Sequence, residues 1–261
     1  MITSLQNPKI QYIHSLLTQK KAREAAGEFV VEGVRLLEEA ILSGWKPNLL
    51  LFSNNLSERG MQLIRQAEKP GTLIEEIPFD LMRKISETDT PQGVLASFNQ
   101  RQLPLPEKLD FVLIVDELRD PGNLGTLLRT AGATGVQAVF LPPGTVDAFS
   151  PKVVRAGMGA HFRIPIFPMQ WEDIRSLLTE QQNPPLKILL AEASGGTSIW
   201  ESDFSLPIAI LIGGEAFGAS PIARQAVDAL IHIPMSGKSE SLNASVAASI
   251  ILFEVVRQRT A

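Results

Sequence analysis

The 261-residue sequence predicts an α/β protein in two parts, a small α/β domain and then a parallel sheet covered by helices on both faces. Three observations carry this. Short apolar runs alternate with amphipathic stretches along the whole chain. In the second half the runs are almost wholly apolar, as strands buried on both faces are. Between the halves lies a polar stretch, residues 99–107, in which Pro104 and Pro106 disfavour both a helix and a central strand. The expected boundaries are therefore 1–98 for the small domain, 99–107 for the linker and 108–261 for the larger domain.

In the first half, helical spacing appears over residues 33–42 (Val34, Leu37, Ile41) and 58–67 (Met61, Ile64). Strand-like runs occupy 49–52, 73–74 and 93–98. In the second half a strand over 111–115 leads into a helix over 123–132 and a strand over 138–141. Further strands are expected at 164–167, 187–191, 208–212 and 230–233, with a final helix over 243–257.

The composition, 44% hydrophobic and 20% charged, is rich enough in apolar residues to bury a core and excludes a disordered chain. The sequence has no cysteine, which removes disulfides, thiolate metal sites, iron–sulfur clusters and a cysteine nucleophile together. His14, His161 and His232 are scattered without ligand spacing, so no metal centre is expected. No charged-then-apolar leader opens the chain, and no apolar run approaches the ~18–20 residues that span a bilayer. A soluble, cytoplasmic protein without membrane contact is the expectation. The net charge of −4 says little about a nucleic-acid partner, because a phosphate backbone senses local patches. One such cluster, Lys9, Lys20, Lys21 and Arg23 with no acid among them, reads either as a solvated helix face or as an RNA-facing patch.

Ligands of parallel sheets sit in the loops beyond the carboxyl ends of the strands, and three loops there carry unusual residues. The first, after residues 111–115, reads Asp116-Glu-Leu-Arg-Asp-Pro-Gly-Asn123 and continues to Arg129. Pro121-Gly122 marks a turn and Asn123 has the character of an N-cap. Arg129, among apolar neighbours, either snorkels to solvent or binds an anion. The second loop reads Gly213-Gly-Glu-Ala-Phe-Gly218 and is neither a dinucleotide fingerprint nor a P-loop. Its Glu215 would repel phosphate; it either sits near a helix N-terminus or faces a positively charged ligand. The third runs from Ile233 to Ser241, Leu242 and Asn243 at the mouth of the last helix, where capping and recognition both explain the polar pair.

In order and spacing, these loops resemble the three motifs of the SpoU (TrmH-like) RNA ribose 2′-O-methyltransferases of the SPOUT superfamily. Residues 1–98 resemble the small substrate-binding domain that many members carry, through Ser4-Leu-Gln-Asn-Pro8 and Phe29-Val-Val-Glu-Gly-Val-Arg-Leu-Leu37. The resemblance implies S-adenosylmethionine as cofactor, a C-terminal trefoil knot, and a homodimer whose active sites lie at an interface packed through knot helices. It implies that Gly213, Ile233 and Leu242 hold the cofactor. It assigns Asn123, Arg129, Glu215, Ser241 and Asn243 to the catalytic site. A guanidinium is permanently protonated, so Arg129 is expected to bind phosphate and steady the ribose oxygen rather than act as a base. The implied substrate is structured RNA, ribosomal rather than transfer RNA. The alternatives are a tRNA 2′-O-methyltransferase, a base methyltransferase, a non-catalytic RNA-binding protein on the same fold, and a nicotinamide-dependent oxidoreductase. The last lacks any strand followed by the required glycine fingerprint. Lys238 and Glu240, just ahead of Ser241, depart from the motif and bear on which RNA is accepted.

Overall fold

The computed structural model describes residues 1–101, 103–237 and 241–260 and divides into two compact units. Residues Met1–Arg101 and Asp147–Phe162 form the first; Gln102–Val146 and Arg163–Ala261 form the second. The expected partition at 99–107 assigned residues 147–162 to the second half, whereas the structure groups them with the first.

The first unit is a four-stranded sheet, β1 (Glu28–Glu32), β2 (Leu49–Ser53), β3 (Leu73–Ile77) and β4 (Val94–Asn99), in the order β1-β4-β2-β3. Only β2 and β3 run parallel; β4 is antiparallel to both its neighbours. Helices α1 (Pro8–Thr18), α2 (Lys20–Ala26), α3 (Val34–Leu42), α4 (Glu58–Ala67) and α5 (Phe79–Ile85) surround it. Strand β1 is absent from the sequence expectation because its apolar run, Phe29-Val-Val31, is only three residues long. Helix α1 starts where Asn7 accepts from Lys9 N at 2.9 Å and Pro8 takes the first position, the residue whose missing N–H costs nothing there. One face of the sheet rests on Ile10, Ile13, Leu16 and Leu17 of α1 with Leu81, Met82 and Ile85 of α5.

Three members of the basic cluster of the first 23 residues, Lys9, Lys20 and Arg23, are paired with carboxylates, and Lys21 is exposed. Arg23 is buried; its Nη1 donates to Leu16 O at 2.6 Å, and its Nε and Nη2 donate to Asp147 at 2.9 and 2.7 Å. Lys9 pairs with Glu75, and Lys20 with Glu24 at 3.5 Å. Arg23 is thus a clamp between α1 and the returning segment and is closed to RNA. The segment itself supplies α7 (Pro151–Gly157) and an aromatic cluster. Phe29 lies 5.2 Å from Phe149, Trp45 lies 5.2 Å from Phe162, and Trp45 Nε1 donates to Phe162 O at 3.2 Å. His161 is buried in this cluster, one ring nitrogen 2.7 Å from Ala148 O and the other without a partner among the described residues.

The second unit is a seven-stranded, all-parallel sheet. Its strands are β5 (Phe111–Val115), β6 (Ala138–Leu141), β7 (Ile166–Pro168), β8 (Lys187–Glu192), β9 (Thr197–Ser198), β10 (Ile208–Ile212) and β11 (Ala229–His232), ordered β7-β6-β5-β10-β8-β11-β9. Every residue of β5 and β10 is buried, as their unbroken apolar runs require. One face packs Ile114, Phe140, Leu190 and Leu211 with Trp171 and Ile174 of α8 (Trp171–Arg175) and Ala223 of α9 (Pro221–Ala226). Helices α6 (Pro121–Thr134) and α10 (Ala244–Thr260) pack side by side, joined by a 3.0 Å hydrogen bond between the hydroxyls of Thr130 and Ser249. Arg259 fixes the far end of α10, donating to Asp110, Phe204 O and Leu206 O. Among the described residues, no helix is long and apolar enough to cross a membrane.

Burial pushes the His161 imidazole down from 6.5 to about 4, against smaller opposing contributions from the Ala148 carbonyl and Asp147. The unfolded chain therefore takes up this proton first. The stability of the first unit is complete above pH 6.5 and falls as the pH drops towards 4. His161→Gln, which cannot take the proton, is expected to lower the melting temperature at pH 7.5 and to flatten its dependence between pH 6.5 and 4. Thermal melts followed by Trp45 emission, with Trp171 and Trp200 replaced by Phe, check this.

Candidate active site

Strand order runs outward in opposite directions from the β5–β10 pair, and the carboxyl ends of a parallel sheet open a crevice at such a switch. The two loops leaving these strands are pinned together at their base. Asp116, buried at the end of β5, accepts from Trp171 Nε1 at 3.0 Å and from Ser220 N at 2.7 Å. Beyond this point the glycine loop presses on its neighbour. A Cβ on Gly214 would lie 2.4 Å from Glu117 O, and one on Gly213 would lie 2.3 Å from Ala219 N, so neither position admits a side chain.

Helix α6 begins at Pro121, and its N-cap is Asp120, whose carboxylate accepts from Asn123 N at 2.8 Å. The expectation that Asn123 caps this helix is corrected: an Asp ahead of a proline supplies the cap three residues earlier. The Asn123 side chain makes long-range contacts instead. Its Nδ2 donates to Glu215 Oε1 at 2.8 Å, and its Oδ1 accepts from Asn243 Nδ2 at 3.0 Å. Asn243 in turn caps α10, its Oδ1 accepting from Ser245 N at 2.9 Å and from the buried Ser245 hydroxyl at 2.7 Å. Glu215 also accepts from Arg119 N at 3.3 Å and Asp120 N at 3.4 Å. It thus sits at the N-terminus of α6, a helix distant in sequence, where the peptide dipoles favour an anion. Partial burial raises the Glu215 pKa, but the hydrogen bonds from Asn123 and the backbone outweigh it and hold the group below the ordinary glutamate value.

This network borders a cavity of about 490 Å³, a size typical of small-molecule sites. Gly213, Ile233 and Leu242, expected to hold a cofactor, all line it, as do Glu215, Ser241 and Asn243. Apolar wall comes from Ile212, Met235, Ala247 and Ile251, and a second carboxylate from Glu192, paired with Arg224 at 2.6 Å. Ser241 lines the cavity without joining the amide network. Arg129 is not brought to the cavity. It is exposed on α6 and has no hydrogen-bond or ion-pair partner among the described residues. The helix explains this: six residues past Asn123 is about 240° around the axis and about 9 Å along it. Lys238 and Glu240 lie outside the described residues. No cluster of metal-ligating side chains occurs among the described residues. Sequence reasoning missed Asp116 and Ser245. Asp116, an acid closing an apolar strand, and Ser245, two residues past a capping asparagine, were the available signals.

A profile of the SpoU rRNA methylase family matches residues 110–253, and one of the MRM3-like substrate binding domain matches residues 7–96. The chain belongs to the SpoU rRNA methylase family. It is 31% identical over 259 residues to the 23S rRNA (guanosine(2553)-2′-O)-methyltransferase RlmP of Bacillus subtilis, covering 97% of this chain and 98% of that protein. An AdoMet-bound rRNA methyltransferase from Sinorhizobium meliloti superposes with a TM-score of 0.85 at 34% identity, covering 98% of this chain and 97% of that one. The SpoU methyltransferase AviRb from Streptomyces viridochromogenes, in complex with AdoMet, gives 0.88 at 30% identity over 98% and 99% of the two chains. The glycine loop, the start of the last helix and Asn123 all fall within the matched residues 110–253, and the amide network joins them.

Asn123→Asp sets a carboxylate against Glu215. It is expected to destabilise the second unit by about 1–3 kcal/mol. The exchange Asn123→Asp with Glu215→Gln restores one donor and one acceptor and should recover more than half of that loss. Urea unfolding of the three proteins measures it.

Proposed function

We propose that the protein transfers the methyl group of S-adenosylmethionine to a ribose 2′-hydroxyl of ribosomal RNA. The observation that carries this is the cavity at the carboxyl edge of β8 and β10, bordered by a network that draws all three motif loops together. The cofactor supplies an already activated methyl group on a cationic sulfur. The cavity suits it: Met235, Leu242 and Ile251 offer apolar wall to a purine, and the carboxylates of Glu192 and Glu215 face a positively charged ligand. Backbone groups at Gly213, Ile233 and Leu242 hold the adenosyl and methionyl parts. The trefoil knot of the family, formed where the C-terminal segment threads a loop, belongs to this proposal.

Asn123 and Glu215 position the ribose, and Ser241 and Asn243 order the third loop beside it. A neutral ribose hydroxyl is a weak nucleophile and needs both near-attack geometry and charge stabilisation. Arg129 supplies the charge by binding an adjoining phosphate and steadying the developing alkoxide; the proton leaves to phosphate or water. Arg129 is far around α6 from its own Asn123, so the protein works as a homodimer in which the Arg129 of one copy serves the cavity of the other. Val246 and Phe253, seven residues apart on one side of α10 and 47% and 53% exposed, offer apolar surface for that pairing. A cysteine-free chain of this kind works in a reducing cytoplasm.

Incubation with methyl-labelled S-adenosylmethionine and unmodified ribosomal RNA is expected to give label at an alkali-resistant linkage, because alkaline cleavage needs a free 2′-hydroxyl. Label in alkali-sensitive positions, or in tRNA alone, would overturn the reading. Arg129→Ala is expected to lower turnover about 100-fold or more while leaving cofactor affinity within about threefold. Co-expressed Arg129→Ala and Asn123→Ala chains should recover about a quarter of wild-type activity, since half the dimers are mixed and each has one complete site. No recovery would place both residues in one chain's site.

A further inference from the structure

The tip of the glycine turn carries a residue that the chemistry above leaves unused. Phe217 is 83% exposed, well beyond Trp200 or Phe253 at 54% and 53%. One exposed apolar side chain is ordinary, as Leu42 at 78% shows; Phe217 differs in standing on a turn that walls the large cavity. The ring stands on a fixed support. Gly214 and Gly218 exchange backbone hydrogen bonds of 3.0 and 3.1 Å, Gly218 has φ +69°, and Glu215 between them is tied to Asn123. The turn is pressed against the loop that carries Arg119, as the 2.4 Å approach of a Gly214 Cβ to Glu117 O requires. Phe217, Arg119 and Glu117 line a shallow cavity of about 100 Å³. This cavity shares Gly214, Glu215 and Gly218 with the large one, so the glycine turn forms a wall of both. The Arg119 side chain is 69% exposed, and its ion pair with Glu117 is long at 3.9 Å, leaving guanidinium donors for an incoming anion.

We propose that this shallow cavity seats a nucleotide of the RNA beside the target ribose, its base stacked on Phe217 and a phosphate on Arg119. The inference rests on the methyl-transfer reading above and specifies how that reaction holds its substrate. An aromatic ring with a neighbouring guanidinium matches the two faces of a nucleotide: every base offers a flat π surface, and every link offers an oxyanion that a guanidinium can grip with two N–H groups. At about 100 Å³ the cavity takes the edge of one base, with the rest of the nucleotide outside it, and has no room for a second cofactor. Glu117 adds an acceptor for an N–H on the edge of the seated base, and its charge holds Arg119 in place. Phe217 and Arg119 are thus substrate-positioning residues that lie outside the lining of the cofactor cavity.

The test uses the full-length protein with in vitro-transcribed 23S ribosomal RNA. Phe217→Ala is expected to raise the KM for RNA about tenfold, the loss typical of one stacked base, with kcat within about threefold and the dissociation constant for S-adenosylmethionine unchanged. Phe217→Trp should restore the KM, and its added emission should be quenched when RNA is titrated without cofactor. Arg119→Ala should raise the KM similarly and lessen its dependence on salt, which Arg119→Lys should partly restore. Equal RNA KM and emission in all variants, with normal methylation, would overturn this proposal and leave the methyl-transfer reading intact. A Phe217→Ala protein that changes oligomeric state or cofactor affinity while keeping its RNA KM would overturn it in favour of a protein or cofactor contact. Failure of the unaltered protein to label any RNA would overturn both.

Discussion

A single side-chain amide, that of Asn123, joins two segments that lie 92 and 120 residues further along the chain. One end of the amide donates to Glu215 and the other accepts from Asn243. A carboxylamide, with a donor and an acceptor on one plane, can stand between a carboxylate and the N–H of a second amide. Alanine would take one hydrogen-bond partner from each neighbour, and aspartate would face Glu215 with like charge. The remaining parts follow from this constraint. The cap of α10 is fixed because Asn243 spends its oxygen on the helix and its nitrogen on Asn123. The glycine turn is fixed because Glu215 is held both by Asn123 and by the amino end of α6. The cavity of about 490 Å³ is the space these three anchored loops leave beyond the sheet.

The strands of the second unit were legible because burial on both faces writes itself into sequence as unbroken apolar runs, and β5 and β10 fall where such runs predict. The first unit was harder. Strand β1 has only three consecutive apolar residues, and its place beside β4 depends on pairing with residues some 65 positions away. The return of residues 147–162 to the first unit was hidden for a related reason. The clamp that marks it, buried Arg23 on Asp147, joins two polar residues 124 positions apart, each of which reads locally as solvated. At the site, the glycines, Glu215 and Asn243 stand out by type and spacing, whereas the residues flanking Asn123 describe a local cap, and only the family resemblance gives it a place in the site. Local capping and distant bonding use the same atoms of the same residue. Asp120, one residue ahead of the proline, decides between them by taking the cap itself.

The position of Arg129 bears on the electrostatics of the proposed reaction. A methyl donor with a positive sulfur and a permanently charged guanidinium repel each other when both occupy a dry cavity, and the repulsion grows as water leaves. Two carboxylates line the cavity here; Glu192 is paired with Arg224, which leaves Glu215 as the one without a cationic partner among the described residues. Leaving Arg129 out of that lining lets the cavity hold a cation without opposition. A guanidinium brought from outside together with an RNA phosphate arrives with its charge already balanced. It can then steady the ribose oxygen only in the complex that contains the substrate. On this view the exposure of Arg129 is the condition under which one site can bind a cationic donor and still stabilise an anionic oxygen, and the order of events is set by when the phosphate arrives.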